Sequence, residues 1–117
     1  MSSHREPSPT LALIIRPGAM AFRLPSADTD IHLVRREPLK RILLALCDRR
    51  LSGPGVGLDK DELLAAGSPG ERMTAEAGQN RVHVALATLR KLGLRAYLVT
   101  GEDGYSLSSK TRVILEP

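Results

Sequence analysis

Aromatic side chains are nearly missing from these 117 residues, which contain no tryptophan, one phenylalanine and two tyrosines. The core must therefore be built from Leu, Val, Ile and Ala, and an aromatic-lined ligand pocket is not expected. Cysteine is almost as scarce. Cys47 stands alone, so no internal disulfide can form and a reducing compartment suits the chain. Its setting in "RILLALC" reads as that of a small buried hydrophobe rather than a reactive thiol. No apolar run approaches the roughly 18 residues of a membrane span, and "MSSHREPSPT" lacks the apolar h-region of a secretory signal. Residues 1–10 read as a flexible tail and the chain as cytoplasmic.

The signatures of catalysis are equally thin. "GPGVG" at residues 53–57 lacks the Lys-Ser/Thr of a phosphate loop and does not join a strand to a helix. His4, His32 and His83 are scattered and, with one cysteine, give no metal-ligand spacing. No G-x-S-x-G elbow is present. Asp59, Asp61 and Glu62 cluster, but helix capping accounts for them. Neither an enzyme, a metal nor a cofactor is expected.

What the sequence does contain is basic charge and a sequence of short amphipathic segments. Seventeen Lys and Arg against thirteen Asp and Glu leave a net +4, which permits a polyanionic partner. The length fits one domain, residues 11–117. Apolar runs at 11–16 and 19–24, divided by Pro17-Gly18, predict a hairpin with a bulge or longer loop, and "IHLVRR" predicts a third strand. Pro38 suits the first turn of a helix whose Leu39, Ile42, Leu43 and Leu46 share a face. Asp59 and Glu62 form a capping box for a short second helix, which Gly67 is expected to cap at its C-terminus. Thr74 caps a long third helix at 75–92 that Gly93 ends. "AYLVTGEDGYSLS" then predicts a hairpin, and "TRVIL" a last strand.

The order is that of an α+β winged helix-turn-helix: a small antiparallel sheet, three helices and a C-terminal β-hairpin wing. Residues 31–107 resemble the effector domain of OmpR/PhoB-type response regulators, the trans_reg_C class. The resemblance rests on Val82, Leu86, Leu89 and Arg90 at the family's spacing, continued by Lys91 and Leu92, and on Gly104, Tyr105 and Leu107 in the wing. It implies sequence-dependent binding of duplex DNA in transcription regulation. Ala85, Ala87 and Thr88 replace the long polar side chains frequent in the family's helix, which reduces base-reading capacity. The wing carries Gly101-Glu102-Asp103 where the family often has a cation, and carboxylates there repel phosphate. These residues include no receiver domain, so no aspartyl-phosphate switch is carried over.

On the long helix, Val82, Ala85, Leu86 and Leu89 fall on the core stripe. Asn80 and Arg81 are then candidates for base edges, Val84, Ala87 and the Thr88 methyl for thymine methyls, and Lys91 for phosphate. Lys60 in the first turn of the second helix, Arg72 before the third and Thr100 in the wing complete the candidate DNA contacts. Arg35, Arg36, Lys40, Arg41, Arg49 and Arg50 add charge around the first helix, the last two also opposing its macrodipole. An exposed face of Arg, Asn and Lys is equally that of an ordinary solvated helix. The rival reading is a protein-interaction module, with small apolar residues Ala77, Val84 and Ala87 receiving a partner. Edge strands at 11–24 or 111–115 would then pair with a second copy or another regulator. A continuous basic surface over the long helix and wing base favours DNA, whereas a broken one favours protein. Because a single module offers limited contact area, DNA binding is expected to need a dimer or tandem sites.

Overall fold

The computed structural model describes residues 11–117; the tail expected at 1–10 lies outside them. Along the chain run β1 (Ala12–Ile15), β2 (Ala21–Arg23), β3 (Ile31–His32), α1 (Glu37–Ser52), α2 (Lys60–Gly67), α3 (Ala75–Lys91), β4 (Leu98–Gly101), β5 (Gly104–Leu107) and β6 (Arg112–Leu115). The class is α+β, with three helices and a small mixed sheet, a layout compatible with a winged helix.

The first hairpin forms where the apolar runs predict it, with Ile14 opposite Arg23 and Ile15 opposite Phe22. Its connection is the longer kind, because Pro17–Ala19 winds into a 3₁₀ turn before β2 begins. The third strand shrinks to two residues: Leu33 is buried, and Arg35 adopts a left-handed φ of +65° as the chain turns into α1. The expectation of an antiparallel sheet needs a correction. β6 returns to lie parallel to β1 in the order β3-β2-β1-β6, so the sheet is mixed. The reason is burial: Ala12, Leu13 and Ile15 are fully buried, and Val113 on β6 joins the same core, so β1 must be an interior strand.

Across the ends of this sheet Asp30 takes Arg16 and Arg23 together, at 3.0 and 2.8 Å, while Arg16 also reaches Glu116 at 2.8 Å. The hydrogen bond from Arg16, reinforced by Arg23, holds the Asp30 carboxyl below the usual carboxylate range.

α1 buries Leu39, Ile42, Leu43, Leu46 and Cys47, the i, i+3, i+4, i+7 spacing of one helical face. Desolvation, with a smaller contribution from Asp48, pushes the Cys47 thiol up to about 12, in keeping with the packing role read from its sequence setting. α2 begins with the expected capping box: Asp59 Oδ1 accepts from the Glu62 amide at 2.8 Å and Glu62 Oε1 from the Asp59 amide at 3.1 Å. That amide, and then Arg49, hold the Glu62 carboxyl below its ordinary range.

Gly67 does not act as a C-cap. It is the last residue of α2, buried, and a Cβ there would lie 3.0 Å from two carbons of Ile42, so its small size serves the α1–α2 contact. The chain leaves the helix at Ser68, whose amide donates to the Leu64 carbonyl. Arg49 is also no free cation: it donates to the Gly57 carbonyl and to Glu62, fastening the end of α1 to the start of α2.

Candidate nucleic-acid interface

α3 carries the expected cap, with Thr74 Oγ1 accepting from the Ala77 amide at 3.1 Å. Its buried side is Gly78, Val82, Ala85, Leu86 and Leu89. The four largest of these recur at i, i+3, i+4 and i+7, so at 100° per residue they anchor one stripe and leave the opposite side outward. Asn80, Val84, Ala87 and Lys91 occupy that outward side and all are exposed, Val84 at 57 %. The order α1, α2, α3 thus braces one long helix while leaving its far face uncovered.

The flanks of α3 differ from the sequence reading. Arg81 is exposed, but Nη1 is ion-paired with Glu71 in the α2–α3 turn at 2.6 Å and also donates to Ser68 Oγ. Thr88 is half-buried and its hydroxyl donates back to the Val84 carbonyl at 2.8 Å. Thr100 is exposed at the β4–β5 hairpin, where its hydroxyl accepts from Arg90 Nη2 at 3.0 Å, so α3 and the hairpin are directly joined. Arg72 is exposed just before α3, and neither it nor Lys91 makes an ion pair among the described residues. Arg95, in the 3₁₀ turn Leu94–Ala96 beyond α3, is a further exposed cation that the sequence reading did not single out. It lies beyond Gly93, whose φ of +128° ends the helix, and so falls outside the periodicity that marks the face of α3.

Lys60 does not join this face. It shares a cleft of about 410 Å³ with Gln79, the acids Asp59 and Asp61, and Glu102 and Asp103 from the hairpin tip. Four carboxylates around one ammonium make that cleft negative and a poor seat for phosphate. The basic surface over α3 is therefore broken: cations at Arg72, Lys91 and Arg95, a neutralised Arg81, and acid beside the hairpin tip. On the other flank a shallow groove of about 370 Å³ runs between α1 and α3, lined by Pro38, Leu39, Val84, Ala85 and Thr88 with Arg36 and Arg81 at its rim. Glu71, which decides the state of Arg81, lies ten positions away across a turn, and no periodicity in the sequence signals such a pair.

The hairpin has a third participant. Leu58 forms a bridge to Tyr105, with amide-to-carbonyl bonds of 2.8 Å in both directions, so the residue preceding the α2 cap is stitched to β5. Hairpin and short helix consequently hold one another in place.

Among the described residues no helix is long and apolar enough to cross a membrane. No family model, curated protein or solved structure matches the chain.

Proposed function

We propose that this chain is a winged-helix module of the OmpR/PhoB type, a cytoplasmic DNA-binding regulator of transcription with the β4–β5 hairpin as its wing. The observation that carries the reading is the uncovered outward side of α3, a helix of 17 residues braced from behind by α1 and α2. A helix of this kind fits the major groove. Asn80 offers an amide for adenine, Val84 and Ala87 offer apolar contact to thymine methyls, and the Thr88 methyl extends that strip. Arg72, Lys91 and Arg95 supply phosphate contacts at the two ends of the helix.

Arg81 reads a base only by exchanging Glu71 for DNA, and Lys60 among its carboxylates contributes little. The acidic wing tip likewise favours contact through the wing's base. With so few cations, useful affinity calls for two copies on adjacent half-sites.

A second reading, docking of another protein or a second copy on α3, is favoured by the broken basic surface over that helix and by the exposure of Val84 beside the largely apolar α1–α3 groove. One experiment separates the two: titration of duplex DNA at several salt concentrations with the native chain, Lys91→Ala and Asn80→Ala. DNA recognition gives affinity that falls steeply with salt. Lys91→Ala makes the log–log slope shallower by about 0.9, one phosphate contact. Asn80→Ala relaxes sequence preference instead. Indifference of all three proteins to duplex transfers the assignment to the protein-docking reading.

A further inference from the structure

On the side of the β4–β5 hairpin away from the acidic cleft, the α1–α2 loop meets the segment between β5 and β6 and encloses a cleft of about 390 Å³. Two cations line it, Arg50 from the end of α1 and Lys110, and neither makes an ion pair among the described residues. Arg50 Nη2 donates to the Thr111 carbonyl at 3.0 Å, which fixes the side chain, but its Nε is buried without any hydrogen-bond partner. Burial closes that Nε to a ligand in the cleft, so what Arg50 offers an anion there is the charge of a side chain held in place by Thr111. Ser106, Ser108 and Ser109 bring hydroxyls to the same cleft.

The opposite wall is the glycine loop at residues 53–57, which lacks a Lys-Ser of its own. Folding brings Ser108, Ser109 and Lys110 to face it. Gly55 has a left-handed φ of +93° and nothing lies within 4 Å of where a Cβ would stand, so the backbone wall is open to close approach. One carboxylate, Asp103, also borders the cleft, but its Oδ2 is engaged by the Gly57 amide at 2.9 Å. Val56 and Val99 add apolar surface.

From these features we propose that the cleft binds the terminal phosphate of a small phosphorylated molecule, with Arg50 and Lys110 attracting the anion and the serines donating to its oxygens. The volume lies within the roughly 300–1,000 Å³ typical of small-molecule sites. Two cations against one carboxylate leave the cleft net positive, and cations and hydroxyls set around it suit the three terminal oxygens of a phosphomonoester better than the two of a carboxylate.

The test uses the full chain and amide NMR titration with inorganic phosphate, adenosine 5′-monophosphate and a short duplex in separate arms. The proposal expects saturable shifts at Gly55, Gly57, Ser109 and Lys110 with the first two, tighter for the nucleotide. Lys110→Gln, an exposed residue with no structural bond through its side chain, should weaken binding at least about tenfold, the loss of one charged contact. Arg50→Gln should do the same, but it also releases Thr111, so Lys110→Gln is the cleaner variant. Absence of saturable shifts at millimolar phosphate overturns the proposal, as does equal binding by Lys110→Gln. Stronger shifts of the same amides by duplex, displacing the nucleotide, would also overturn it and make the cleft part of the DNA contact.

Discussion

Replacing Gly104 by alanine should unlatch the β4–β5 hairpin from the rest of the fold. Gly104 has φ +131°, a region that L-residues rarely enter, and a Cβ added there would collide with the Leu58 carbonyl oxygen and come within 2.9 Å of the Asp59 nitrogen. These are backbone atoms, which cannot swing aside as a side chain can. Forcing an alanine into such a conformation costs about 1–3 kcal/mol. Relief by separation sacrifices the two Leu58–Tyr105 backbone bonds of 2.8 Å, at about 1 kcal/mol each. The expected loss is about 3–5 kcal/mol, a large part of the roughly 5–15 kcal/mol that holds a small domain folded.

Urea unfolding measures the loss directly, and hydrogen exchange at the Leu58 and Tyr105 amides shows whether the bridge has opened. Gly101→Ala on the facing strand is the control: a Cβ there meets its nearest neighbour at 3.6 Å, an ordinary contact, so the change should be within about 0.5 kcal/mol. A loss below about 1 kcal/mol for Gly104→Ala, with both bridge amides still protected, would refute the argument that this junction cannot yield.

Three further outcomes are expected. Glu71→Gln frees Arg81 from its ion pair; if α3 enters DNA, the salt slope should steepen by about 0.9, which makes the affinity loss between 50 and 200 mM salt about 3.5-fold larger. An unchanged slope in a protein that binds duplex would show that Arg81 stays off phosphate. Asp30 has its pKa lowered on folding by Arg16 and Arg23, so the native state binds fewer protons than the unfolded chain near the ordinary value of about 4. Its stabilisation is complete above that pH and is lost as pH falls through the depressed native value; Asp30→Asn should therefore be less stable at neutral pH, with the gap to the native protein closing in acid denaturation. Cys47, fully buried with its thiol pushed up to about 12, should resist alkylation at pH 8 until denaturant is added; rapid labelling of the folded chain would contradict the packing of α1.

The helices were legible because their signals are local. The apolar residues of α1 and α3 recur at helical spacing, and Asp59 with Glu62, like Thr74, are close enough in sequence to find their partners in any chain that forms the first turn. The β4–β5 hairpin was readable from Gly101 to Gly104 for the same reason. The outward residues of α3 followed from the stripe, so Asn80, Val84, Ala87 and Lys91 could be named in advance as one surface. What they bind could not. The charges that qualify that surface come from elsewhere: Glu71 takes Arg81, and the hairpin tip brings carboxylates to Lys60. Gly67 resembled a helix stop in sequence, yet its size is dictated by Ile42 on another helix.

Sequence alone therefore determined where helices start, which of their faces turn inward and where the chain reverses, because each depends on interactions within a few residues. Tertiary structure decided the parallel pairing of β6 with β1, the latch between Leu58 and Tyr105, which arginines remain unpaired, and the meeting of the glycine loop with Ser108, Ser109 and Lys110. Those contacts join segments far apart in the chain. Their distances are set by how the core packs as a whole, which no local pattern of residues encodes.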